Sequence, residues 1–346
     1  MKYLFLVFTS VLLASCKQGD TTKVEISEAT TDYDYTLVFA SCNDQDRPQP
    51  LWEPILANNP DLFIWGGDNI YADTDDMAKM KSDYDKVLAN TSYQKLMKST
   101  EIIGTWDDHD YGKNDAGREW EKKEEAKKLF LEFLNIPSGD ERHQMEGVYS
   151  SYRAKVGDHT LKFILLDTRT FRDSLLKSEV KGRRYEPWPQ EDTHRTLLGA
   201  QQWDWLETEL KDESADFNVI VTSIQYLNNG HGWERWGCFP SEMEKMDALI
   251  ANAKSKNIIL LSGDRHMAEI SVAEMEGLSY PLVDFTTSGM THTWIDGETE
   301  RNEHRVSNVI KRLNFGVIHF DFDARKVVFE IRGEDDFLYE RHEIEY

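Results

Sequence analysis

The sequence predicts an α/β fold in which two stacked mixed β-sheets are flanked by helices. Short apolar runs typical of buried strands alternate with longer amphipathic stretches typical of helices, as expected when helices cover sheet faces. Late in the chain, strand-like runs follow one another without helices and end in a predicted hairpin at Asp323 to Lys326. Four polar blocks each directly follow an apolar run, which predicts that their side chains gather along one sheet edge.

The elements can be assigned in order from these runs. Strands are predicted at residues 35–41, 61–65, 101–106, 161–167, 217–224, 257–262, 281–287, 315–321 and 326–332. Helices are predicted near residues 76–98, 117–135, 199–213 and 241–255. The absence of a repeat or a Gly/Ser-rich linker in the sequence favours one domain over residues 35–346.

The N-terminus is typical of an exported lipoprotein. An apolar run from Tyr3 to Leu13 follows Met1 and Lys2, and it is roughly half the 20 residues that a membrane span needs. Small residues then precede Cys16, which predicts a signal peptide over residues 1–16 and a lipidated Cys16. The alternative is a plain secretory signal with a chance cysteine.

Residues 17–34, rich in Thr, Asp, Lys and Ser, are predicted to be a flexible tether. The predicted location is the cell envelope, with the protein held by its lipid in the outer membrane and facing the periplasm or the cell surface. Lys17 favours the outer membrane in bacteria that use an aspartate after the cysteine as an inner-membrane retention signal.

The chain is strongly acidic, with a formal net charge of −23. Binding faces for nucleic-acid backbones or anionic bilayers are normally basic, so neither is expected as an extended partner. A small anionic substrate remains compatible, because bound metal ions and a few arginines can make a pocket positive. We expect a monomer.

Cys42 and Cys238 remain once Cys16 is assigned to the lipid. The compartment permits a disulfide between them. Cys42, however, directly follows the first strand of the domain and precedes Asn43 and Asp44, a ligand-rich position. We therefore favour a metal-bound thiolate at Cys42 and a free or packed Cys238.

The block GGDNIY contains Asp68 and Tyr71. Two glycines allow a tight turn before Asp68, and Tyr71 lies three residues on, so one helical turn would place its phenol beside that carboxylate. A bridging carboxylate suits a bimetal hydrolase, and phenolate or thiolate ligands favour a trivalent or soft metal. The alternative is an aspartate cap and a packed tyrosine.

The block WDDHD supplies a predicted metal ligand, Asp108, and a predicted proton donor to the leaving oxygen, His109. Asn114 and Asp115 follow closely enough to reach the same pocket. A solvated turn is the alternative interpretation of such adjacent acids.

The block SGDRHMAE adds Asp264 and His266, which would share a face if the segment is extended. His266 is predicted either to bind a metal directly or to hydrogen-bond one of the residues that bind it. The sequence does not decide between these roles.

Two further segments are candidates for substrate binding. Arg169 and Arg172 follow a buried-looking strand, and a guanidinium can grip two phosphate oxygens. Thr291 and His292 follow another strand and are interpreted either as pocket-lining groups or as an ordinary polar loop. Tryptophans 233, 236 and 294 could form an apolar wall of the pocket, although core packing is commoner.

Taken in order, these segments resemble the alkaline phosphatase D (PhoD-like) branch of the calcineurin-like metallophosphoesterases. The matching segments are ASCN, GGDNIYAD, TWDDHDYGKND, LLDTRTFRD, GAQQWDWL, WGCFPSE and SGDRHMAE, over roughly residues 36 to 296. The resemblance implies two mixed sheets flanked by helices and a phosphomonoesterase or phosphodiesterase that uses Fe³⁺ with Ca²⁺; Mn or Zn are alternatives.

Site residues carried over by motif are implied by the same resemblance. Cys42, Asp68, Tyr71 and Asp264 resemble iron and bridging ligands, Asn114 a residue of the calcium or phosphate site, and Arg169 a phosphate contact. The chain departs from the wider superfamily by carrying Ser41-Cys42-Asn43 where a DxH motif is usual, so an all-His/Asp dinuclear site is not expected.

The predicted reaction is hydrolysis of a small phosphate ester by a metal-bound hydroxide, without a serine nucleophile. A second interpretation keeps the site but makes the substrate a diester, such as a phospholipid head group or a glycerophosphodiester. A third is a catalytically silent lipoprotein that binds metal or a phosphorylated ligand.

Overall fold

Two mixed β-sheets and their covering helices form the body of the protein, seen in a computed structural model that describes residues 33–295 and 299–346. Residues Tyr33–Tyr346 form one compact unit. The predicted signal peptide, the lipidation site at Cys16 and the predicted tether up to residue 32 lie outside the described residues.

The strands are Tyr35–Ala40 (β1), Leu62–Gly66 (β2), Glu101–Thr105 (β3), Ser150–Val156 (β4), His159–Leu165 (β5), Leu176–Lys177 (β6), Tyr185–Glu186 (β7), Phe217–Thr222 (β8), Ile258–Ser262 (β9), Ala268–Ala273 (β10), Leu282–Thr287 (β11), Phe315–Asp321 (β12), Lys326–Arg332 (β13) and Leu338–Glu345 (β14). The helices are Trp52–Ala57 (α1), Met77–Leu88 (α2), Thr91–Ser99 (α3), Asp108–Tyr111 (α4), Lys123–Phe133 (α5), Gly199–Leu210 (α6) and Pro240–Ala251 (α7). None of the helices in the described part of the chain is both long enough and apolar enough to cross a bilayer.

The sheets have six strands each, in the orders β14-β13-β12-β1-β2-β3 and β10-β11-β9-β8-β5-β4. Within the first sheet β1, β2 and β3 are parallel, and within the second β5, β8, β9 and β11 are parallel. The strands β12, β13 and β14 of the first sheet and β4 and β10 of the second pair antiparallel with their neighbours. Both sheets are therefore mixed, as the sequence predicts.

Alternating side chains of the strands build separate cores on the two faces of each sheet. In β1, Leu37 and Phe39 join the apolar core between the sheets, whereas Val38 and Ala40 face the helices that cover the first sheet. In the second sheet, Ile164 and Ile220 pack with α6 and α7 in the same way. The period of two that places neighbours on opposite faces thus yields the predicted order helix, sheet, sheet, helix.

The structure corrects the predicted elements in two respects. The single helix predicted over residues 76–98 is two helices, because the Asn90 side chain accepts hydrogen bonds from the backbone N–H groups of Ser92 and Tyr93 and starts a new helix there. The sequence also does not predict the strands β4, β6, β7, β10 and β14 or the short helices α1 and α4. The predicted hairpin near Asp323 is confirmed by the antiparallel pairing of β12 with β13.

Candidate metal centre

The carboxyl ends of β1, β2, β3 and β9 bring four predicted ligands together. Cys42, Asp68, Asp108 and Asp264 each follow one of these strands within three residues, and Cys42, Asp68 and Asp108 are almost fully buried. The Cys42 Sγ lies 3.6 Å from Asp68 Oδ2, and the Tyr71 hydroxyl donates to the same oxygen at 3.1 Å. The predicted gathering of these residues is found, but β9 belongs to the second sheet, so the site lies where strand ends of both sheets meet and not along the edge of one sheet.

Several residues of this cluster adopt left-handed backbone conformations. The φ angles are 61° at Cys42, 52° at Asp68, 66° at Asp264 and 50° at His266. Such angles are uncommon outside glycine and concentrate at functional sites, where the surrounding structure holds them. The segment from Asp264 to His266 is therefore not extended, and the predicted face-sharing by alternation is wrong, although both side chains reach the site.

A hydrogen-bonded aspartate links the loops after β2 and β3. Asp110 accepts from the backbone N–H groups of Asp68 and Asn69 at 3.2 and 3.3 Å. It also accepts from the N–H of Asp107 at 2.8 Å, which closes a capping box at the start of α4. This buried carboxylate fixes the positions of Asp68 and Asp108 relative to each other.

Three groups of side chains have donor atoms close enough to share a cation. The groups are Cys42, Asp68 and His266; Asp68, Asp108 and His109; and Asp107, Asp108 and Asp264, with the ligand atoms of each group within 4.8 Å of one another. Asp68 belongs to the first two groups and Asp108 to the last two. A shared carboxylate between neighbouring groups is the arrangement that a bimetal centre uses.

The pKa values of the acidic groups in the cluster indicate a binding site for cations. Burial, together with nearby aspartates that outweigh the opposing charge of His109, raises the pKa of Asp68 well above its usual range. Burial and the same kind of like-charge repulsion raise the pKa of Asp264 to about 7, against the charge of Arg265. Burial, Asp68 and Asp264 raise the pKa of the Cys42 thiol, and burial and Asp68 raise that of Tyr71.

Unpartnered oxygen atoms point to the same conclusion. Among the described residues, the buried Oδ2 of Asp107 and the buried Oδ1 of Asn43 have no hydrogen-bond donor. Buried acceptors are rarely left without a partner unless an ion or water completes them. Thiolate, phenolate and carboxylate donors with spare oxygen atoms fit a bound metal pair.

Asp108 differs from its neighbours in acidity. Burial alone would raise its pKa, but the charges of His109 and Arg169 and the backbone N–H of Asp115 hold it well below its usual range. That N–H donates to Asp108 Oδ2 at 2.5 Å, and the Asn114 carboxamide lies 3.3 Å from the same oxygen. Asp108 is thus a permanent carboxylate, with Asn114 directly beside it.

His109 is held as a charged imidazolium. Burial lowers its pKa, but Asp108, Asp68 and Asp73 outweigh burial and raise the pKa from 6.5 to about 11. Its Nδ1 lies 2.7 Å from Asp73 Oδ2, a partner that the sequence analysis missed. The carboxylates around His109 therefore keep its ring protonated, whereas the sequence led us to expect an imidazole near neutral pKa.

The surroundings of His266 distinguish between its two predicted roles. Trp294 donates its indole N–H to Nδ1 of His266 at 2.5 Å, and Nε2 lies 2.8 Å from the Tyr71 hydroxyl. Burial, His292 and His109 lower the pKa of His266 to about 3, so the ring is neutral. With Nδ1 accepting, the proton lies on Nε2, which favours hydrogen bonding by His266 over ligation.

The structure places Arg169 differently from the prediction. Its guanidinium is fully buried, with Nε donating to Asp107 at 2.5 Å and Nη1 to Glu234 at 2.7 Å. Arg172 pairs with Glu234 as well, at 2.9 Å. The expected phosphate contact by Arg169 is corrected to a structural ion pair behind the site, because its donors already face carboxylates.

Asp107 and Glu234 are the functional positions that the sequence analysis missed. Asp107 stands inside the WDDHD block, whose first acid was assigned no role, and it also accepts from Ser223 at 2.8 Å. Glu234 lies between two tryptophans in the sequence. Two arginines that become buried need acidic side chains buried beside them. This requirement is the sequence feature that indicates buried acidic partners.

A cavity of about 360 Å³ opens beside the cluster. Its lining includes Asp108, His109, Asn114 and Asp264 together with His266. Trp233 and Trp294 line it too, whereas Trp236 is fully buried and takes the alternative of core packing.

His292 and the cysteines complete the predicted site residues. The His292 ring packs edge-on against His266 at 4.3 Å and against Tyr71 at 4.9 Å, so it supports both rings. Cys42 and Cys238 are both buried free thiols, and the alternative disulfide is not formed.

Comparisons with known proteins agree with this geometry. A family model described as PhoD-like phosphatase matches residues 37–328. Alkaline phosphatase D from Bacillus subtilis (strain 168) is 25% identical over 180 residues, which cover 47% of this chain and only 30% of that relative.

Two solved structures resemble the fold. One, titled as the structure of PhoD, has a TM-score of 0.70 and 18% identity, and the match covers 89% of this chain and 68% of that one. The other, a dimetal phosphatase from Danio rerio, has a TM-score of 0.57 and 14% identity, and covers 91% of this chain and 100% of that one. Because the family model spans most of the sequence, the chain belongs to the PhoD-like phosphatase family.

Proposed function

We propose that this protein hydrolyses phosphate esters with the help of bound metal ions. The observation that carries the proposal is the convergence of Cys42, Asp68, Asp108 and Asp264 at the carboxyl ends of strands from both sheets, where neighbouring donor atoms lie close enough to share cations. Family membership supports the same reaction class.

The proposed metal set is Fe³⁺ with Ca²⁺, with Mn or Zn as alternatives. Cys42, Tyr71, Asp68 and Asp264 would hold the iron, and Asp108 and Asn114 the calcium, with Asp68 between them. A thiolate and a phenolate favour iron, while carboxylate and carboxamide oxygens favour calcium. When bound, the metals would supply Lewis acidity and an activated water at neutral pH.

The chain's own side chains provide the remaining chemistry. His109 carries the proton that a departing alkoxide needs, and Asp73 orients its ring through Nδ1. His266 presents Nε2–H to the Tyr71 hydroxyl at 2.8 Å, because Trp294 occupies its other nitrogen, and it would thereby hold that phenol in place. Arg169 contributes indirectly by holding Asp107 in place.

A diester substrate is a second candidate, favoured by the cavity beside the centre. At about 360 Å³ it has room for a group beyond the phosphate. We also propose that a lipid at Cys16 anchors the protein in the cell envelope, a location that suits a diesterase acting on lipid head groups. The supporting observation is the lipoprotein-like N-terminal sequence.

The test compares hydrolysis of p-nitrophenyl phosphate and bis(p-nitrophenyl) phosphate with and without added calcium. Asp68→Asn should abolish turnover, whereas Asp204→Asn, at an exposed position of α6, serves as the matched control and should keep it. Inactivity of the metal-loaded protein on both esters would contradict the hydrolase proposal and leave a binding role.

The proposed iron has a separate test. Thiolate or phenolate on ferric iron should colour the protein, and Tyr71→Phe should shift or remove the visible band. A colourless preparation rich in zinc would contradict the iron assignment without affecting the proposed reaction.

A further inference from the structure

Two tryptophans form an aromatic wall in the cavity beside the candidate metal centre. The rings of Trp233 and Trp294 lie 5.3 Å apart, and Trp294 is 50% exposed. Leaving a tryptophan half exposed forgoes much of the free energy that burying its large apolar surface would give. A ligand that covers the wall would recover that free energy.

The aromatic wall is continuous with the candidate metal centre. Trp294 stacks on His266, with the ring centroids 5.8 Å apart and the planes 28° apart, and it donates to the same ring. The cavity that contains both tryptophans is also lined by Asp108, His109 and Asp264. A phosphoryl group beside those carboxylates would therefore direct its ester group along the wall.

The arginines of the cavity are already paired with acidic side chains. Arg265 pairs with Glu300 at 2.7 Å, and Arg305 pairs with Glu269. Arg184 pairs with Asp115 at 2.5 Å. These ion pairs leave little uncompensated positive charge in the cavity to bind a second anionic group. The faces of the two tryptophan rings are therefore the main features on this side of the cavity that can recognise a ligand.

We propose that the ester group recognised by this protein is a flat aromatic group, which stacks on Trp233 and Trp294. This inference rests on the proposed function for the placement of the phosphoryl group, and it adds the class of leaving group. An aliphatic ester of similar charge would lack the stacking contact and would bind more weakly.

Binding of phosphonates tests the inference without turnover, because their P–C bond is not hydrolysed. The affinities of phenylphosphonate and methylphosphonate for the metal-loaded protein would be measured by calorimetry. We expect phenylphosphonate to bind roughly tenfold more tightly, since stacking on the aromatic faces adds to the free energy gained by burying the ring.

Variants of the two tryptophans test whether the preference for phenylphosphonate comes from the aromatic wall. Trp233→Ala and Trp294→Ala should bring the affinity ratio close to one, while Trp294→Phe, which keeps a ring but loses the N–H to His266, should retain most of it. Trp188→Ala is the control, since Trp188 packs on Arg195 outside the cavity lining. Circular dichroism of each variant verifies folding.

The outcomes separate this inference from the proposed function. Equal affinities in the unmodified protein, or an unchanged ratio in both alanine variants, would overturn the aromatic proposal even if the protein hydrolyses esters. A high ratio in a protein without turnover would uphold the aromatic site and overturn only the hydrolase proposal.

Discussion

Asp108 and Asp264 both follow the carboxyl ends of parallel strands, yet their surroundings shift their pKa values in opposite directions. Asp108 accepts a backbone hydrogen bond from Asp115 and faces His109, so its pKa is low despite burial. Burial and neighbouring acids raise the pKa of Asp264 to about 7, although Arg265 opposes the change. Residue type alone therefore does not determine the charge that a candidate ligand carries. The hydrogen-bond donors and charged groups around the side chain determine it.

Replacement of His109 tests its role as a proton donor. His109→Asn should lower kcat for alkyl phosphates by about 10²–10⁴-fold, the range of general acid catalysis. Nitrophenyl esters should suffer far less, because their leaving group needs no proton. Steady-state kinetics on both ester types measures the difference, and an equal loss on both would rule out the acid role.

The positions of single residues can be predicted where the sequence motif itself determines which strand they follow. Cys42, Asp68 and Asp264 follow apolar strands in the sequence, and in the structure Cys42 and Asp68 share one group of donor atoms while Asp264 belongs to a group linked to it through Asp108. The role of Arg169 was not predictable, because its partners Asp107 and Glu234 are distant in the sequence and only the fold shows that they neutralise it.

At the scale of elements, the site depends on how closely the ends of the strands approach. Gly263, directly after β9, lies against the ends of three other strands, β1, β2 and β8. A Cβ added there would lie 2.7 Å from the Ser41 Oγ, 3.0 Å from the Gly66 carbonyl and 3.0 Å from the Ser223 carbonyl. Two of these three atoms belong to the backbone, so moving them away from the added Cβ would cost free energy.

Gly263→Ala should therefore destabilise the protein by about 1–3 kcal/mol, as overpacking does, and should lower activity by displacing Asp264. Urea denaturation and turnover measure the two effects. Gly139→Ala is the matched control, since no atom lies within 4 Å of the added Cβ. Similar behaviour of the two variants would contradict the close approach.

Strands with continuous apolar runs are predicted well from the sequence, whereas the edge strands β4, β10 and β14 are not. In β4 and β14, exposed and partly buried residues alternate, so few apolar side chains mark them. Only pairing with β5 and β13 identifies these segments as strands. The apolar periodicity of residues 76–98 likewise continues across the break between α2 and α3.

The cap at Asn90 supplies a prediction for that break. Asn90→Ala should cost about 1 kcal/mol of folding free energy, because the N–H groups of Ser92 and Tyr93 lose their acceptor. Asn90→Asp keeps an acceptor and should stay near the parent value. Urea midpoints of the three proteins provide the comparison, and an unchanged midpoint for the alanine variant would refute the cap.

At the scale of the whole molecule, buried ionisable groups couple the stability of the metal-free protein to pH. The pKa of Asp264 is raised to about 7 and that of Asp110 to about 8, in both cases chiefly by burial. The pKa of His109 is raised from 6.5 to about 11, since acidic neighbours outweigh burial. From about pH 6.5 to about 8, all three groups bind more protons in the folded than in the unfolded state.

Stability of the metal-free protein should therefore fall as pH rises through this window. Below pH 6.5 the lowered pKa values of His266 and His292, which are due first to burial, act in the opposite direction. Urea midpoints of chelator-treated protein at about pH 6.5 and 8 measure the trend, and added metal should reduce the slope by compensating the carboxylates. A midpoint that rises across the window would contradict this charge assignment.

The central claim is that side chains from four distant segments share bound cations. Anomalous diffraction from crystals of the metal-loaded protein tests it most directly. We predict two peaks at ligand distance, roughly 2.0–2.6 Å, from Asp68, one of them also contacting Cys42 and the other Asp108. Peaks that lie away from Asp68, or none within the cluster, would contradict the account.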